Sequence, residues 1–139
     1  MPLVRIAVRQ GKTAAYRRAV ADAVHEGMVE AIKVPKEDRF QIVTEHDADG
    51  LIVDRTFLGV DRSDDAVIVQ ISLRRGRPVE LKQALYRRIV EKLADGPGVR
   101  PEDVLIVLSE NDLADWSFGN GEAHYVLNPP VPISPSVAA

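Results

Sequence analysis

Apolar positions recur with strand-like spacing in four stretches of the chain. Residues 2–9 alternate in a mostly period-two pattern, and residues 39–44 and 104–108 are shorter apolar runs that follow turn residues. Residues 66–73 form an almost continuous apolar run, which is typical of a strand covered on both faces. We therefore predict four strands, of which residues 66–73 should lie centrally.

Two further stretches have the four-residue steps of helices that bury one face. The first spans residues 14–32 behind an N-cap at Thr13, and the second follows Pro78 and ends at a Gly-Pro stop, Gly96-Pro97. The apolar stripes are Tyr16, Val20, Val24, Met28 and Ile32 in the first helix, and Leu81, Leu85, Ile89 and Leu93 in the second.

The chain repeats the order strand, helix, strand after a constant shift of 65 residues. The matched positions are Val4 with Val69, Ile6 with Ile71, Arg9 with Arg74, Gly11 with Gly76, Lys12 with Arg77, Val34 with Val99, Glu37 with Glu102, and Asp38 with Asp103. Because βαβ crossovers are right-handed, both helices should lie on one face of the sheet. We predict an α/β fold, a two-layer sandwich of two tandem βαβ units spanning residues 2–44 and 67–108.

Two segments fall outside this repeat. Residues 45–65 are rich in Asp, Gly and Ser, and we interpret them as a loop with one or two short extended pieces. Residues 109–139 complete the single domain of residues 1–139: they begin with an aromatic segment that holds the only Trp, and residues 129–139 carry four prolines. We expect those last residues to form a disordered end or an extended arm that reaches a neighbouring subunit.

Composition and charge exclude several classes of function. With no cysteine, thiol chemistry and disulfides are impossible, which suits a cytoplasmic protein. The net charge of −3 comes from mixed signs without a basic stripe, which argues against a nucleic-acid partner. No apolar run approaches the ~20 residues of a membrane span, so we expect a protein that is neither membrane-bound nor exported.

Cofactor sites are also not indicated by the sequence. His25, His46 and His124 are not spaced with other ligands as a metal site needs, and we interpret all three as surface or structural residues. Gly119-Asn120-Gly121 lacks the strand-turn-helix context of a nucleotide loop. We therefore expect neither a metal nor a nucleotide cofactor.

Candidate chemistry begins at Pro2. Removal of Met1 would leave a secondary amine at the start of a strand, and a free α-amine titrates near pH ~8, where it can act as acid, base or nucleophile. The alternative is that Pro2 is simply a common second residue. Arg74, Arg75 and Arg77 cluster at the end of a strand, where α/β proteins often bind ligands, but such residues are also common solvated turn charges.

The combination of Pro2, the duplicated βαβ unit and three motifs resembles the tautomerase superfamily, and more closely its malonate semialdehyde decarboxylase branch. The motifs are Val34-Pro35-Lys36-Glu37-Asp38-Arg39-Phe40-Gln41, Arg75-Gly76-Arg77 and Asp115-Trp116-Ser117-Phe118-Gly119. The resemblance covers residues 2 to about 127. It implies a homotrimer with active sites near the subunit interfaces.

The resemblance also implies roles for individual residues. Pro2 would supply the catalytic amine and Asp38 a catalytic carboxylate, although Asp38 could equally be a turn or cap carboxylate. Arg75 and Arg77 would bind the substrate carboxylate, but the adjacent Arg74 leaves the identity of the pair open. Trp116 and Phe118 would form an aromatic pocket wall, although Trp116 could instead anchor an interface or the core. They are joined by Tyr125, which stands where the decarboxylase pattern tends to have Phe.

The function implied is cofactor-independent decarboxylation of a small 3-oxo acid such as malonate semialdehyde, with tautomerase activity on enolic 2-oxo acids as a side reaction. Two alternatives remain open. One is a tautomerase, or a hydratase or dehalogenase of unsaturated acids, that uses the same residues. The other is a catalytically silent trimeric binding protein, which a retained Met1 would favour because it acylates the nitrogen of Pro2.

Overall fold

The computed structural model describes residues 2–133, which contain four strands and three α-helices. In chain order these elements are β1 (Leu3–Arg9), α1 (Ala14–Ile32), β2 (Phe40–His46), β3 (Val67–Arg74), α2 (Val79–Asp95), β4 (Val104–Asn111) and the short α3 (His124–Leu127). Single 3-10 turns lie at Phe57–Gly59, Pro101–Asp103 and Leu113–Asp115. The four strands and two long helices predicted from the sequence are confirmed, with small shifts at their ends.

The strands form one mixed sheet in the order β2-β1-β3-β4. β1 is parallel to β2, β3 is parallel to β4, and the two central strands β1 and β3 are antiparallel. Leu3 pairs with Phe40, and Ile68 pairs with Leu105, so the partner lies 37 residues further along in both parallel pairs. The predicted α/β sandwich of two βαβ units is confirmed, and a shift of 65 residues relates their pairings.

The hydrophobic core lies between one face of the sheet and the two long helices. β1 and β3 contribute alternate residues, among them Ile6 and Ile71, each about 1% exposed. The helices contribute the stripes expected from the sequence, such as Val24 and Met28 in α1 and Leu85 in α2. Burial of these aliphatic side chains is the main term that stabilises the fold.

The opposite face of the sheet is open, which corrects one prediction. β3 is central as expected, but it is buried on the helix side only, because Gln70 points away from the helices and is exposed. The outer strands also expose large apolar side chains on this face: Phe40, Ile42, Leu105 and Val107 are 46%, 38%, 41% and 43% exposed. The almost continuous apolar run at residues 66–73 was therefore not a sign that both faces of β3 are covered within one chain.

Local signals in the sequence explain where the helices begin and end. The Thr13 hydroxyl accepts a hydrogen bond of 3.0 Å from the backbone N–H of Tyr16 and caps α1, as predicted. Lys33 ends α1 in a left-handed conformation with φ of 60°, which directs Val34 and Pro35 away from the helix axis. α2 ends where the N–H of Gly96 donates to the carbonyl of Lys92.

The loop between β2 and β3 contains no strand within residues 47–66, so the short extended pieces that we predicted do not pair with the sheet. It contains the turn Phe57–Gly59, and Leu51 is its buried anchor at 6% exposed. Among the described helices, none combines the length and apolar character that a membrane crossing needs.

The two long helices approach most closely at Gly27. A Cβ atom placed on Gly27 would lie 2.9 Å from Ile89 Cγ1 and 3.0 Å from Ile89 Cα, so part of the obstruction is the backbone of α2. The absence of a side chain at this position allows the close crossing of the helices.

We expect Gly27→Ala to lower the free energy of unfolding by about 1–3 kcal/mol, because overpacking outweighs the better helix propensity of alanine. Urea denaturation measures the change. Ala15→Gly, at an exposed position in the first turns of α1, serves as the control for propensity alone. A Gly27→Ala protein that is as stable as the wild type would show that the helices can separate at no cost.

Candidate active site

The strand register brings the ends of three strands to one edge of the sheet. Leu3, the first residue of β1, pairs with Phe40 at the start of β2 and with Ser72 near the end of β3. Residues that flank these positions, including Pro2, Asp38 and Arg74, therefore lie at the same edge. Pro2 comes from the first βαβ unit, whereas Arg74 comes from the second.

A cavity of about 660 Å³ opens at this edge. Its polar lining includes Asp38 before β2, Arg74 and Arg77 around the turn after β3, and Tyr125 in α3. Pro2 is buried at the same edge and is not one of the residues that line the cavity. The structure thus brings four residues from three separate parts of the chain to one concave site.

Arg74 and Arg77 form the positive side of the cavity. The Arg77 side chain donates from Nη1 to the backbone carbonyl of Arg74 at 3.2 Å, and both side chains line the cavity. Burial and the charge of Arg74 together lower the pKa of Arg77 below its usual range, and Glu110 partly opposes them. An anion in the cavity would relieve the cost of holding two cations together.

Neither arginine has a carboxylate partner within residues 2–133. Arg74 donates from Nη2 to the carbonyl of Val131 at 2.6 Å, and its buried Nε has no hydrogen-bond partner in the described part of the chain. Glu110, whose charge raises the pKa of Arg77, is paired with Lys82 at 3.1 Å. The guanidinium groups therefore retain donors for a ligand.

Arg75, which the resemblance assigned to the binding pair, lies elsewhere. Its Nε contacts Asp112 Oδ1 at 3.2 Å, and the two side chains are 61% and 68% exposed. Its backbone N–H donates to the carbonyl of Asn111 at 2.7 Å, which fixes the end of β4 beside the turn. Of the three clustered arginines, the structure places Arg74 and Arg77 at the cavity and Arg75 on the surface.

Asp38 lies in the turn between α1 and β2. Its backbone N–H donates to the carbonyl of Pro35 at 3.0 Å, so the turn is compact, and its carboxylate is one of the groups that line the cavity.

The described residues contain no cluster of three His, Asp or Glu that could hold a metal ion.

The aromatic segment stands behind one wall of the cavity. The rings of Trp116 and Phe118 are stacked, 5.4 Å apart at 5°. Phe118 also contacts Tyr125 edge-on at 5.0 Å and Phe40 at 5.6 Å. Tyr125 faces the cavity, whereas Trp116 and Phe118 support it from behind and are not among the cavity-lining residues.

Polar contacts fix this aromatic cluster. The indole N–H of Trp116 donates to Asn111 Oδ1 at 2.8 Å. The backbone N–H of Phe118 donates to Nδ1 of His124 at 3.1 Å, which requires that Nδ1 be unprotonated. His124, which we interpreted from the sequence as surface or structural, thus holds the segment that positions Phe118.

Some cavity residues were not identified by sequence reasoning. Pro130, Val131, Pro132 and Ile133 from the C-terminal arm line the cavity, as do Ala31, Ile32, Lys33, Val34 and Pro35 around the end of α1. The arm was expected to be disordered or to reach a neighbour, but its residues up to Ile133 pack on their own chain. Residues 134–139 of the predicted arm lie outside the described part of the structure, as does Met1.

Two family models described as tautomerase enzyme match the chain, one over residues 38–119 and the other over residues 2–60. Probable tautomerase YusQ of Bacillus subtilis (strain 168) is 36% identical over 126 residues, which covers 91% of this chain and 99% of YusQ. The chain belongs to the tautomerase family.

Within this family, solved structures place the chain in the malonate semialdehyde decarboxylase-like branch. FG41 malonate semialdehyde decarboxylase, inhibited by 3-bromopropiolate, is 42% identical with a TM-score of 0.88, covering 94% of this chain and 99% of its own. A malonate semialdehyde decarboxylase studied for its decarboxylase and hydratase activities is 35% identical with a TM-score of 0.87, covering 93% and 99%. The family resemblance inferred from the sequence is confirmed.

A further solved structure with the same fold is less similar in sequence. A fused 4-OT described as a symmetric trimer is 27% identical with a TM-score of 0.74, and the match covers 91% of this chain and 98% of that one.

The hydroxyl of Tyr125 provides a test of the cavity's electrostatics. Burial raises the pKa of Tyr125, and the nearby Arg74 guanidinium lowers it in part. We expect Arg74→Gln to raise the pKa of Tyr125 further, because a cation that favours the phenolate is removed. Ultraviolet absorbance of tyrosinate against pH, taken as the difference from Tyr125→Phe in the same background, isolates this group.

Arg18→Gln, an exposed position on α1, is the matched control and should leave the difference titration unchanged. A titration of Tyr125 that does not respond to Arg74→Gln would show that the two groups are not electrostatic neighbours in solution.

Proposed function

We propose that this member of the tautomerase family decarboxylates a small 3-oxo carboxylic acid, with malonate semialdehyde as the simplest candidate. The observation that carries the proposal is the pair of guanidinium groups, Arg74 and Arg77, which lack carboxylate partners in residues 2–133 and line a cavity beside Asp38. Similarity to two malonate semialdehyde decarboxylases supports the same assignment.

In this proposal Arg74 and Arg77 bind the substrate carboxylate and orient it. Charge-assisted hydrogen bonds from two guanidinium groups fix the carboxylate so that its bond to the adjacent carbon stands over the carbonyl plane. Cleavage of that bond releases carbon dioxide and leaves its electron pair on the carbon next to the carbonyl. The reaction therefore needs an electron sink at the carbonyl group.

The amine of Pro2 would provide that sink once Met1 is removed. A protonated amine can donate a hydrogen bond to the carbonyl oxygen and stabilise an enolate. Alternatively, a neutral amine adds to the carbonyl and loses water to form an iminium ion, which becomes an enamine when carbon dioxide leaves. Protonation of the enamine carbon and hydrolysis then release the aldehyde and regenerate Pro2.

Asp38 and Tyr125 would tune these steps. A carboxylate beside the amine favours its protonated form, and Asp38 could also hold the water used for hydrolysis. The apolar surroundings weaken solvation of the substrate carboxylate and so favour its loss. The hydroxyl of Tyr125 adds one donor to a wall that is otherwise mostly apolar.

A tautomerase acting on enolic 2-oxo acids is the second candidate. The relative YusQ is named a probable tautomerase, and the same amine and arginines could move a proton between carbon and oxygen of a bound enol. Hydration or dehalogenation of unsaturated acids would use these groups as well. A silent binding protein would result if Met1 were kept, because the nitrogen of Pro2 would then be an amide.

We also propose that the chain functions as a homotrimer. The open sheet face exposes Phe40, Ile42, Leu105 and Val107, which favours burial against other copies. The trimeric description of a related fused 4-OT supports this stoichiometry.

We expect Arg77→Gln and Arg74→Gln each to lower kcat/KM for malonate semialdehyde by about 10-fold to 100-fold, because each removes a charged hydrogen bond to the carboxylate. Arg75→Gln is the matched control, since Arg75 is exposed and pairs with Asp112. Steady-state release of acetaldehyde measures the rates. A loss in Arg75→Gln equal to that in Arg77→Gln would contradict the choice of Arg74 and Arg77.

We expect Pro2→Ala to lower the decarboxylation rate by about 100-fold or more, the range typical of a lost acid or base group. The intact mass of the purified protein should show that Met1 is absent. A mature protein that retains Met1, or a Pro2→Ala variant with wild-type turnover, would exclude a mechanism that depends on the amine.

A further inference from the structure

The cavity is large compared with the proposed substrate. Its volume of about 660 Å³ falls within the ~300–1,000 Å³ typical of sites that enclose drug-sized ligands. Malonate semialdehyde is a three-carbon acid whose two polar groups would both be held at the edge formed by Pro2, Asp38 and the arginines. Most of the cavity would then remain unfilled.

The remaining wall is mostly apolar and comes from three parts of the chain, although the exposed Lys33 also lines it. Ala31, Ile32 and Val34 line it near the end of α1, Leu81 lines it from the first turns of α2, and Val131 and Ile133 line it from the C-terminal arm. The two arginines provide a site for an anionic group, whereas these aliphatic side chains offer no polar partner. A ligand that matches this wall has a carboxylate at one end and an apolar chain at the other.

The arm is held on this cavity by two specific contacts. The carbonyl of Val131 accepts a hydrogen bond of 2.6 Å from Arg74. Gly76 adopts a positive φ of 125°, and a Cβ atom there would lie only 3.3 Å from Ile133 Cδ1, so the turn leaves room for the arm. The apolar wall is thus tied to the same turn that positions the arginines.

We infer that the cavity selects a carboxylate that carries an aliphatic chain, so that the substrate is a 3-oxo acid longer than three carbons. This inference rests on the proposed function, because it concerns the substrate of the same site. Arg74 and Arg77 bind the carboxylate of this ligand, and its aliphatic chain lies against Leu81, Val131 and Ile133.

Binding of saturated carboxylates tests the inference without turnover, since these acids cannot be decarboxylated. Acetate, butanoate and hexanoate are titrated into the full-length protein, with calorimetry and the fluorescence of Trp116, the only Trp, as readouts. We expect affinity to rise about fourfold for each added methylene, which corresponds to about 0.8 kcal/mol. An affinity that is flat or falls with chain length overturns the inference and would mean that the cavity is closed or filled by another copy in solution.

Two matched variants test where the aliphatic chain of the ligand binds. Ile133→Ser should reduce the ratio of hexanoate to acetate affinity by about tenfold, whereas Ile52→Ser, at an exposed position (82%) outside the cavity, should preserve it. If the ratio of hexanoate to acetate affinity is the same in wild type and Ile133→Ser, the aliphatic chain of the ligand does not contact Ile133 and the inference is wrong.

Kinetics separate this inference from the proposed function. If the inference and the proposed function both hold, kcat/KM for 3-oxohexanoate exceeds that for malonate semialdehyde. If neither acid is turned over but hexanoate still binds more tightly than acetate, the proposed reaction is wrong and the binding preference stands. If malonate semialdehyde is the better substrate and hexanoate does not bind, the proposed reaction stands and the inference fails.

Discussion

The antiparallel pairing of β1 with β3 is the constraint on which the rest of the molecule depends. Each βαβ unit alone would leave the inner edge of its two-stranded sheet unpaired, and the pairing of Leu3 with Ser72 and of Ile6 with Val69 joins them. Because β1 and β3 run in opposite directions, the first residues of β1 lie beside the last residues of β3. Pro2 and Arg74 are thus brought to one edge although they are far apart in sequence.

The same symmetry creates a second, equivalent location that the chain itself fills. There Arg9, Lys12 and Asp103 occupy the positions of Arg74, Arg77 and Asp38. Lys12 pairs with Asp65 at 3.2 Å, and the carboxylate of Asp103 accepts hydrogen bonds from the N–H and hydroxyl of Ser63 at 2.7 and 2.6 Å. The loop between β2 and β3 therefore supplies partners for Lys12 and Asp103. Arg9 resembles Arg74 more closely, because it donates to a backbone carbonyl, that of Leu51, and its buried Nε has no hydrogen-bond partner within residues 2–133. The two halves share one backbone plan but differ in what covers their strand ends.

The two arginines at the cavity lower the stability of the fold, and the hydrophobic core offsets this loss. Two neighbouring guanidinium groups without a carboxylate partner in residues 2–133 destabilise the fold when partly buried, and the lowered pKa of Arg77 reflects that cost. The aliphatic core between sheet and helices, where Ile6, Leu85 and Ile89 are almost fully buried, offsets it. An anionic ligand would stabilise the protein by binding the folded state only.

Several features of this protein were determined by the sequence alone. Hydrophobic periodicity predicted the strands and the two long helices, because a period of two or of about four residues is fixed by backbone geometry. The shift of 65 residues predicted two βαβ units, and this repeat together with Pro2 and three short motifs identified the family. These patterns are local in sequence, so they can be recognised without knowledge of the contacts between distant residues.

Only the tertiary structure decided which side chains meet. The sequence could not choose among Arg74, Arg75 and Arg77, because the turn at Gly76 determines which guanidinium groups face the cavity and which faces Asp112. Nor could it show that the arm up to Ile133 folds back onto this turn, since proline-rich segments carry no periodic signal for a packing partner. The positions of these groups depend on contacts between distant parts of the chain, and such contacts exist only once the sheet has closed on its helices.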